Sequence, residues 1–193
     1  REKIRGIDNR PLYGKRGLVT RARQQASTLS WLLAGLGALP VELPAIDIQP
    51  IADNRELDRA ITGIGEYNWL LFTSTNGVDA FFNRLHNLKL DARALKVKIG
   101  AIGPATAQSL ETRGIIPDYL PAVYTSRGIM DGLKNRKIAG QRFLLPRADI
   151  ADEELTKGLR LLGAKVDEVT TYRTIPATEA IARAKKMLKS GEI

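Results

Sequence analysis

Residues 14–50 read GKRGLVTRARQQASTLSWLLAGLGALPVELPAIDIQP, and residues 140–176 read GQRFLLPRADIADEELTKGLRLLGAKVDEVTTYRTIP. The two stretches align without a gap at a constant spacing of 126 positions. Identical pairs fall at apolar, glycine and charged positions, among them Leu33/Leu159, Gly37/Gly163, Arg21/Arg147 and Glu42/Glu168. A gapless match over 37 residues indicates one strand–helix–strand unit used twice, and it predicts two related halves.

The second copy stops earlier in its course than the first. After the first copy the chain runs on through residues 69–77 (WLLFTSTNG), whose counterpart would begin at position 195, whereas the sequence given ends at Ile193. On this spacing up to 72 residues of the second unit are absent. We therefore expect one of the two halves to be incomplete.

Composition excludes several kinds of protein. The chain has no cysteine, which rules out a disulfide framework, a thiolate nucleophile and a zinc knuckle, and its single histidine rules out a His-rich metal site. No run of about 18 apolar residues is present, so a membrane span is not expected. The sequence lacks an initiator methionine and a signal peptide, and we expect a piece of a cytoplasmic polypeptide.

The charge balance points to an anionic partner. Thirty Lys and Arg against 21 Asp and Glu give a formal net charge of +9. Part of the excess lies in residues 1–16, REKIRGIDNRPLYGKR, which we interpret as a polar linker, with residues 1–13 outside the first domain. The charge also raises the possibility of nucleic-acid binding, but no basic stretch interleaved with aromatic residues supports it.

Strand and helix patterns alternate along the chain. The predicted strands lie at residues 16–20, 41–43, 69–73, 97–102, 142–146 and 166–170. Apolar residues at helical spacing lie between them, as in residues 29–36, 78–85, 155–162 and 181–188. Gly37 and Gly163 suit the left-handed position that ends a helix. This alternation predicts an α/β fold with parallel sheets covered on both faces.

The predicted strand ends carry the residues suited to binding. In parallel sheets, ligands bind at the carboxyl ends of the strands, where loops lead into helix N-termini. These loops contain Thr20-Arg21, Thr73-Ser74-Thr75-Asn76-Gly77, Gly103-Pro104-Ala105-Thr106, Tyr124-Thr125-Ser126 and Pro146-Arg147-Ala148-Asp149. Hydroxyls and backbone N–H groups at helix starts can cradle a carboxylate or phosphate, although plain helix capping explains the same residue types.

Taken in order, these loops resemble those of one enzyme family. The chain is similar to uroporphyrinogen-III synthases in the strings LVTRAR (18–23), LLFTSTNGVDAFF (70–82), IGAIGPATAQSL (99–110), LPRAD (145–149) and YRT (172–174). The opening segment also resembles the joint between a uroporphyrinogen-III methyltransferase and the synthase in fused enzymes. The resemblance therefore implies an upstream methyltransferase domain.

The resemblance implies a specific architecture. Members of this family have two flavodoxin-like α/β domains joined by a two-stranded linker, with the chain crossing between them and the active site in the cleft. Transferred to this sequence, domain one comprises residues 14–45 and 176–193 and is incomplete, whereas domain two comprises residues 46–175 and is complete. We expect the full enzyme to be a monomer and the shorter chain to be inactive or nearly so and to self-associate.

The resemblance also implies a reaction. Members of the family close hydroxymethylbilane, a linear tetrapyrrole with eight carboxylates, into a ring while inverting its last pyrrole, a step of haem, sirohaem and cobalamin synthesis. This chemistry needs help with the departing hydroxide and control of conformation, but no metal and no cofactor.

Site residues follow from the same resemblance. Tyr172 matches the family tyrosine proposed as general acid, and phenols, with an ordinary pKa of about 10, can protonate a leaving hydroxide. Packing at the linker is the alternative role for Tyr172. The predicted substrate-binding residues are Arg21, Thr73, Ser74, Thr75, Asn76, Gly103, Pro104, Thr106, Tyr124, Thr125, Ser126 and Arg147. The two arginines could instead pair with surface acids, such as Asp149 for Arg147.

Other functions remain open at the level of sequence. A two-domain binding module that senses an anionic small molecule without catalysis would share this fold class. A dinucleotide site is not expected, because neither Gly35-Leu36-Gly37 nor Gly63-Ile64-Gly65 has the third glycine at the required spacing. His86 lies at the edge of an apolar helix face, and we interpret it as structural.

Overall fold

A computed structural model describes residues 9–193, apart from the side chains of residues 23–27. Most of the predicted N-terminal linker therefore lies outside the described residues. The described residues form seven strands: β1 (Arg16–Val19), β2 (Leu39–Glu42), β3 (Ile46–Pro50), β4 (Trp69–Phe72), β5 (Lys98–Ala101), β6 (Arg142–Ala148) and β7 (Lys165–Pro176). The seven α-helices within residues 9–193 are α1 (Arg23–Gly35), α2 (Arg55–Thr62), α3 (Thr75–Asn87), α4 (Pro104–Glu111), α5 (Ser126–Leu133), α6 (Glu154–Leu161) and α7 (Thr178–Lys189).

The strands form two sheets. β1 and β2 make a two-stranded parallel sheet, and the other five strands make a sheet of order β3-β7-β6-β4-β5. The β4–β5, β4–β6 and β6–β7 pairs are all parallel. The predicted α/β class is thus confirmed, with sheets dominated by parallel pairs. Within residues 9–193 no helix has the length and apolar character needed to cross a membrane.

The chain divides into two compact units. Unit 1 contains the residues up to Gln49 together with Thr174–Ile193, and unit 2 contains Pro50–Arg173. The predicted domain limits, and the completeness assigned to each domain, stay a prediction.

The sequence repeat reappears as a structural repeat. β1-α1-β2 and β6-α6-β7 are both strand–helix–strand units, and they lie in different sheets. Their ladders open at pairs that differ by the repeat spacing, Arg16 with Leu39 and Arg142 with Lys165. Each helix is followed by the repeat-matched glycine in the left-handed region, Gly37 at φ +93° and Gly163 at φ +84°. The two aligned segments therefore share the backbone geometry of the turn after the helix as well as matching residues.

Unit 2 buries apolar side chains on both faces of its sheet. One core contains Phe72, Leu144 and the apolar face of α3. The other core contains Trp69, Phe143 and residues of α5 and α6, and the Trp69 and Phe143 rings stack with centroids 5.8 Å apart. Successive strand residues point to opposite faces, so neighbouring apolar residues in β4 and β6 supply both cores.

Unit 1 has a smaller core. Its buried cluster consists of Leu43, Ala184 and Met187, with partly buried neighbours such as Leu18 and Val41. The apolar stripe of α1 is left partly open, because Leu29 is 37% and Leu32 64% exposed. Leu155, the repeat counterpart of Leu29 in α6, is 0% exposed. The position shared by Leu29 and Leu155 is therefore covered in unit 2 and partly uncovered in unit 1.

The structure corrects several predicted element limits. β7 continues to Pro176, six residues beyond its predicted end, and β2 begins at Leu39 rather than at residue 41. β3 was not predicted at all. It pairs with β7, a partner more than 100 residues away, and that long-range pairing rather than local sequence makes it a strand.

Candidate active site at the carboxyl edge of the larger sheet

Four neighbouring strands of unit 2 deliver their carboxyl ends to one edge. In the order β7-β6-β4-β5 the chain moves from β4 outward to β5 and then returns to the other side of β4 for β6. Loops leaving such a reversal point separate and open a crevice, which is where open parallel sheets bind ligands. The loops after β4, β5 and β6, and the distal part of β7, therefore define the candidate site.

Ser74 is the N-cap residue of α3 at this edge. Its Oγ accepts a hydrogen bond from the Gly77 N–H at 3.0 Å and so caps the helix. Thr73, Thr75 and Asn76 flank it and are partly buried. The capping role foreseen for such hydroxyls is thus present.

The same hydroxyl contacts the predicted general acid. Ser74 Oγ and Tyr172 Oη lie 3.0 Å apart, and either atom can be the donor. Tyr172 is 7% exposed and comes from the distal part of β7, whereas Ser74 follows β4. Residues 98 positions apart are therefore joined where two strands meet the same edge.

Gly77 allows α3 to approach β6 closely. A Cβ atom at this position would lie 3.0 Å from the Pro146 carbonyl oxygen and 3.2 Å from Ser74 Oγ. Because a backbone oxygen cannot move aside as the end of a side chain can, only glycine fits without a shift. Because Gly77 has no side chain, α3 can lie close to β6 while the Gly77 N–H donates to the Ser74 hydroxyl and holds it in place.

The loop after β5 presents a helix start of another kind. α4 begins with Pro104 directly after Gly103, and among the described residues no side chain caps it. Backbone N–H groups at such an N-terminus are available to an anion. Thr106 is buried in the first turn, and Tyr124, 54% exposed, lies beside Gly103.

The loop before α5 is capped in the ordinary way. Thr125 Oγ1 accepts a hydrogen bond from the Gly128 N–H at 3.0 Å, and the helix starts at Ser126. Thr125 is exposed and Ser126 is partly buried. The predicted loop Tyr124-Thr125-Ser126 thus leads directly into α5.

Arg147 does not project into open space. Its side chain is 8% exposed, and its Nη1 donates to Glu168 Oε2 at 3.0 Å. Its Nε has no hydrogen-bond partner among the described residues. The acid that holds it is Glu168 of β7, noted from the sequence only as the repeat match of Glu42. A substrate carboxylate would compete with this internal partner.

Arg21, the repeat counterpart of Arg147, is in a different state. It is exposed in the loop between β1 and α1 and makes no hydrogen bond or ion pair within the described part of the chain. Glu42, the counterpart of Glu168, accepts a hydrogen bond from Ser30 instead. The two copies therefore differ in how they use matching charges.

Two further observations concern metal ligands and the single histidine. Among the described side chains, no group of three or more His, Cys, Asp or Glu residues could hold a metal ion. His86 is exposed in the last turn of α3, which suits a basic residue near a helix C-terminus.

One residue of the site region was missed. Thr171, 3% exposed, donates its hydroxyl to the Arg147 carbonyl oxygen at 3.2 Å. The only sequence signal for Thr171 was its place next to Tyr172. The register shift of the β6–β7 ladder at this point has no local sequence signature.

The fold and the edge define a class of protein: an α/β protein whose hydroxyl-bearing loops lie at the carboxyl ends of parallel strands, where open sheets of this kind bind ligands. The family model for uroporphyrinogen-III synthase HemD matches residues 27–193, and the chain belongs to this family. The resemblance drawn from the sequence is thereby confirmed.

Individual relatives agree with the family assignment. The porphyrin biosynthesis protein HemD of Ruminiclostridium josui is 37% identical over 193 residues, which are 100% of this chain and 38% of that protein. The uroporphyrinogen-III synthase of Synechococcus elongatus is 34% identical over 165 residues, 85% of this chain and 62% of that enzyme. The chain thus spans less than two thirds of the length of either relative.

A solved structure shares the fold. A crystal structure of a mutant uroporphyrinogen III synthase from Thermus thermophilus matches with a TM-score of 0.67 at 21% identity, covering 93% of this chain and 70% of that one. At this identity the likeness concerns the fold alone.

Proposed function

We propose that the protein containing this chain is a uroporphyrinogen-III synthase, a cyclising lyase that closes hydroxymethylbilane with inversion of its terminal pyrrole ring. Family membership supports the reaction class. The observation that carries the proposal is the hydrogen bond between Ser74 and Tyr172 at the carboxyl edge of the sheet, because it gives the expected acid a fixed position.

Tyr172 is the proposed catalytic residue. Its phenol would donate a proton to the departing hydroxyl, which leaves as water and gives an azafulvenium cation. Attack by the substituted carbon of the terminal pyrrole would form a spiro intermediate. The older bond at that carbon would then break, and the ring would reclose with the terminal pyrrole inverted and a proton returned to the phenolate. While the phenol is ionised, Ser74 can rotate its hydroxyl to donate to the phenolate oxygen, since a serine hydroxyl both donates and accepts. The Ser74 oxygen accepts the hydrogen bond from the Gly77 N–H through a lone pair, so this bond is kept when the hydroxyl rotates.

Carboxylate binding is assigned to backbone groups and to one arginine. The first turn of α4 offers the N–H groups of Ala105 and Thr106, since Pro104 has none, and a helix start favours negative charge. Arg21 is exposed and unpaired within the described residues, which suits a charge-assisted bond to a carboxylate. The burial of Arg147 with Glu168 argues for a smaller direct role. The remaining predicted contacts are Thr73, Thr75, Asn76, Thr106, Tyr124, Thr125 and Ser126.

We further propose two flavodoxin-like domains of which the first is incomplete in this chain. The matching registers of the two strand–helix–strand units support a shared domain type. The exposed stripe of α1 at Leu29 and Leu32, together with the contrast between Leu29 and its covered counterpart Leu155 in α6, supports missing elements of unit 1. An upstream methyltransferase is proposed too, and the greater length of the Ruminiclostridium josui relative is compatible with it.

The test is product analysis with the full-length protein. Hydroxymethylbilane also closes without inversion by itself, so the assay separates the two uroporphyrin isomers after oxidation. We expect excess inverted isomer from the full-length protein, little from the 193-residue chain alone, and a fall of about 10²–10⁴-fold in rate for Tyr172→Phe. Tyr67→Phe is the matched control, because Tyr67 lies before β4, away from the carboxyl edge, and should leave the rate unchanged.

Two outcomes would overturn the proposal. Formation of only the uninverted isomer at the spontaneous rate would exclude a synthase, and tight binding of hydroxymethylbilane without turnover would favour a binding module. An unchanged rate for Tyr172→Phe beside an active wild type would remove the role given to Tyr172 alone.

A further inference from the structure

The β6–β7 ladder contains one extra residue, directly before Tyr172. The ladder is regular up to the pair Arg147 with Thr170, and the next pair is Ala148 with Tyr172. The register therefore shifts at this point and leaves Thr171 unpaired in the ladder. An extra residue in one strand is a β-bulge, which bends the strand and re-aims the side chains after it.

The bulge decides which face of the sheet receives Tyr172. Before it, Val166 of β7 belongs to the core next to α5 and α6, whereas Val169 belongs to the core next to α3. Strict alternation would send position 172 to the same face as 166, away from α3, because a shift of one residue moves a side chain to the opposite face. The observed pairing with Ala148 puts Tyr172 on the α3 face, within 3.0 Å of Ser74.

Thr171 holds the bulge with its side chain. Its buried hydroxyl donates to the Arg147 carbonyl oxygen at 3.2 Å, at the point where the register shifts. The ladder resumes at once, since the Asp149 N–H donates to the Tyr172 carbonyl oxygen at 3.2 Å. The irregularity is thus confined to one residue, and that residue supplies its own hydrogen bond.

We propose that Thr171 is a positioning residue for the reaction: its hydroxyl locks the bulge that turns the Tyr172 phenol toward Ser74. The proposal rests on the proposed function for its catalytic consequence but not for its geometric one. Valine has nearly the same shape and lacks the hydroxyl, so Thr171→Val tests the lock, and Thr171→Ser restores the donor. Thr170→Val is the matched control one residue earlier in the same strand.

The geometric test uses the 193-residue chain labelled with ¹³C at the tyrosine Cζ. The chain has five tyrosines, and the Tyr172 resonance is assigned by its loss in Tyr172→Phe. Ser74→Ala should shift this resonance in the wild type. In the Thr171→Val background Ser74→Ala should shift it no further, whereas in the Thr171→Ser and Thr170→Val backgrounds the full response should return.

The other four tyrosine resonances report whether each variant is folded. If Thr171→Val perturbs all of them, the Thr171→Ser and Thr170→Val variants still decide, because the proposal requires both to keep the response to Ser74→Ala. A folded Thr171→Val chain whose Tyr172 resonance still shifts by the full amount on Ser74→Ala would overturn the proposal.

The catalytic test uses the full-length protein. Thr171→Val should lower kcat by about tenfold or more with little change in KM, since general acid catalysis contributes about 10²–10⁴-fold. In the Tyr172→Phe background the same substitution should cost nothing further. A loss of equal size in both backgrounds would show that Thr171 acts on the fold and not through Tyr172. Absence of activity in every variant, wild type included, would reject the proposed function and leave the resonance test standing.

Discussion

Replacement of Ser74 by alanine should cost more stability than the loss of an ordinary helix cap. The Ser74 hydroxyl makes two hydrogen bonds, one from the Gly77 N–H and one with Tyr172 Oη, each at 3.0 Å. The first caps α3, and the second satisfies a hydroxyl on a side chain that is 7% exposed. Both bonds are lost when the hydroxyl is removed.

The magnitude follows from these two contributions. Loss of a serine cap costs about 1 kcal/mol, and leaving a buried hydroxyl without a partner costs about 1–3 kcal/mol. Ser74→Ala should therefore lower the free energy of unfolding of unit 2 by about 2–4 kcal/mol. In a Tyr172→Phe background no hydroxyl is left unsatisfied, and the same substitution should cost only about 1 kcal/mol.

Urea unfolding followed by tryptophan fluorescence measures this difference. Trp69 is 2% exposed within unit 2, whereas Trp31 is 81% exposed in α1. A Trp31→Phe background therefore makes the signal specific for unit 2. Thr125→Ala is the matched control, because Thr125 caps α5 through one bond to Gly128 and is itself exposed, so its removal should cost about 1 kcal/mol.

The comparison can fail in two ways. If Ser74→Ala costs no more than Thr125→Ala, the bond to Tyr172 contributes nothing to the folded state. If Ser74→Ala costs the same with phenylalanine at position 172 as with tyrosine, the two side chains are not coupled. Either result would contradict the geometry on which the assignment of Tyr172 depends.

Two other substitutions probe the charges of unit 2. Glu168→Gln should lower the free energy of unfolding by about 2 kcal/mol, because Arg147 is 8% exposed and loses its charged partner, while Glu168 itself, 33% exposed, is partly hydrated. Tyr67→Phe should flatten the fall of stability at alkaline pH: burial, followed by the hydrogen bond to Asp167, raises the pKa of Tyr67 from 10.0 to about 12. The stabilisation from the neutral phenol is complete below about pH 10 and is lost as the pH rises toward 12.

Both substitutions have internal controls. Glu66→Gln removes a partner of Arg142 in a pair whose side chains are 38% and 70% exposed, and it should cost under about 1 kcal/mol in the same urea titration. A Glu168→Gln variant as stable as Glu66→Gln would show that the Arg147 pair is fully hydrated. For Tyr67→Phe, unfolding is measured at about pH 9 and about pH 11.5, and an alkaline loss equal to that of the wild type would contradict the raised pKa.

Local pattern was sufficient for much of the fold. The repeat predicted two strand–helix–strand units, and helical spacing located α3 and α6, because burial of one apolar face follows directly from side-chain periodicity. The limits of the strands were predicted less accurately than the positions of these helices. β3 and the far end of β7 owe their pairing to each other across more than 100 residues, and no local propensity encodes such a contact.

The candidate site was predictable as a set of loops but not as an arrangement. Hydroxyls at the ends of β4 and β5 could be named because parallel strands deliver them to one edge. Which of them would meet Tyr172 depended on the extra residue at Thr171, and alternation alone would place the phenol on the other face. One added residue in a strand leaves composition and periodicity almost unchanged.

The paired arginines show where repeat symmetry stops predicting function. Arg21 and Arg147 match in sequence, and the acids Glu42 and Glu168 match as well. In β6 the arginine is buried and held by its acid, whereas in the first copy Ser30 donates to the acid and the arginine stays exposed. A buried arginine that is already paired with an acid is stabilised where it is, so a ligand carboxylate would compete with that acid for it. An exposed arginine meets a carboxylate without that competition, and for this reason we propose Arg21, in the copy with fewer internal contacts, as the arginine that binds a substrate carboxylate.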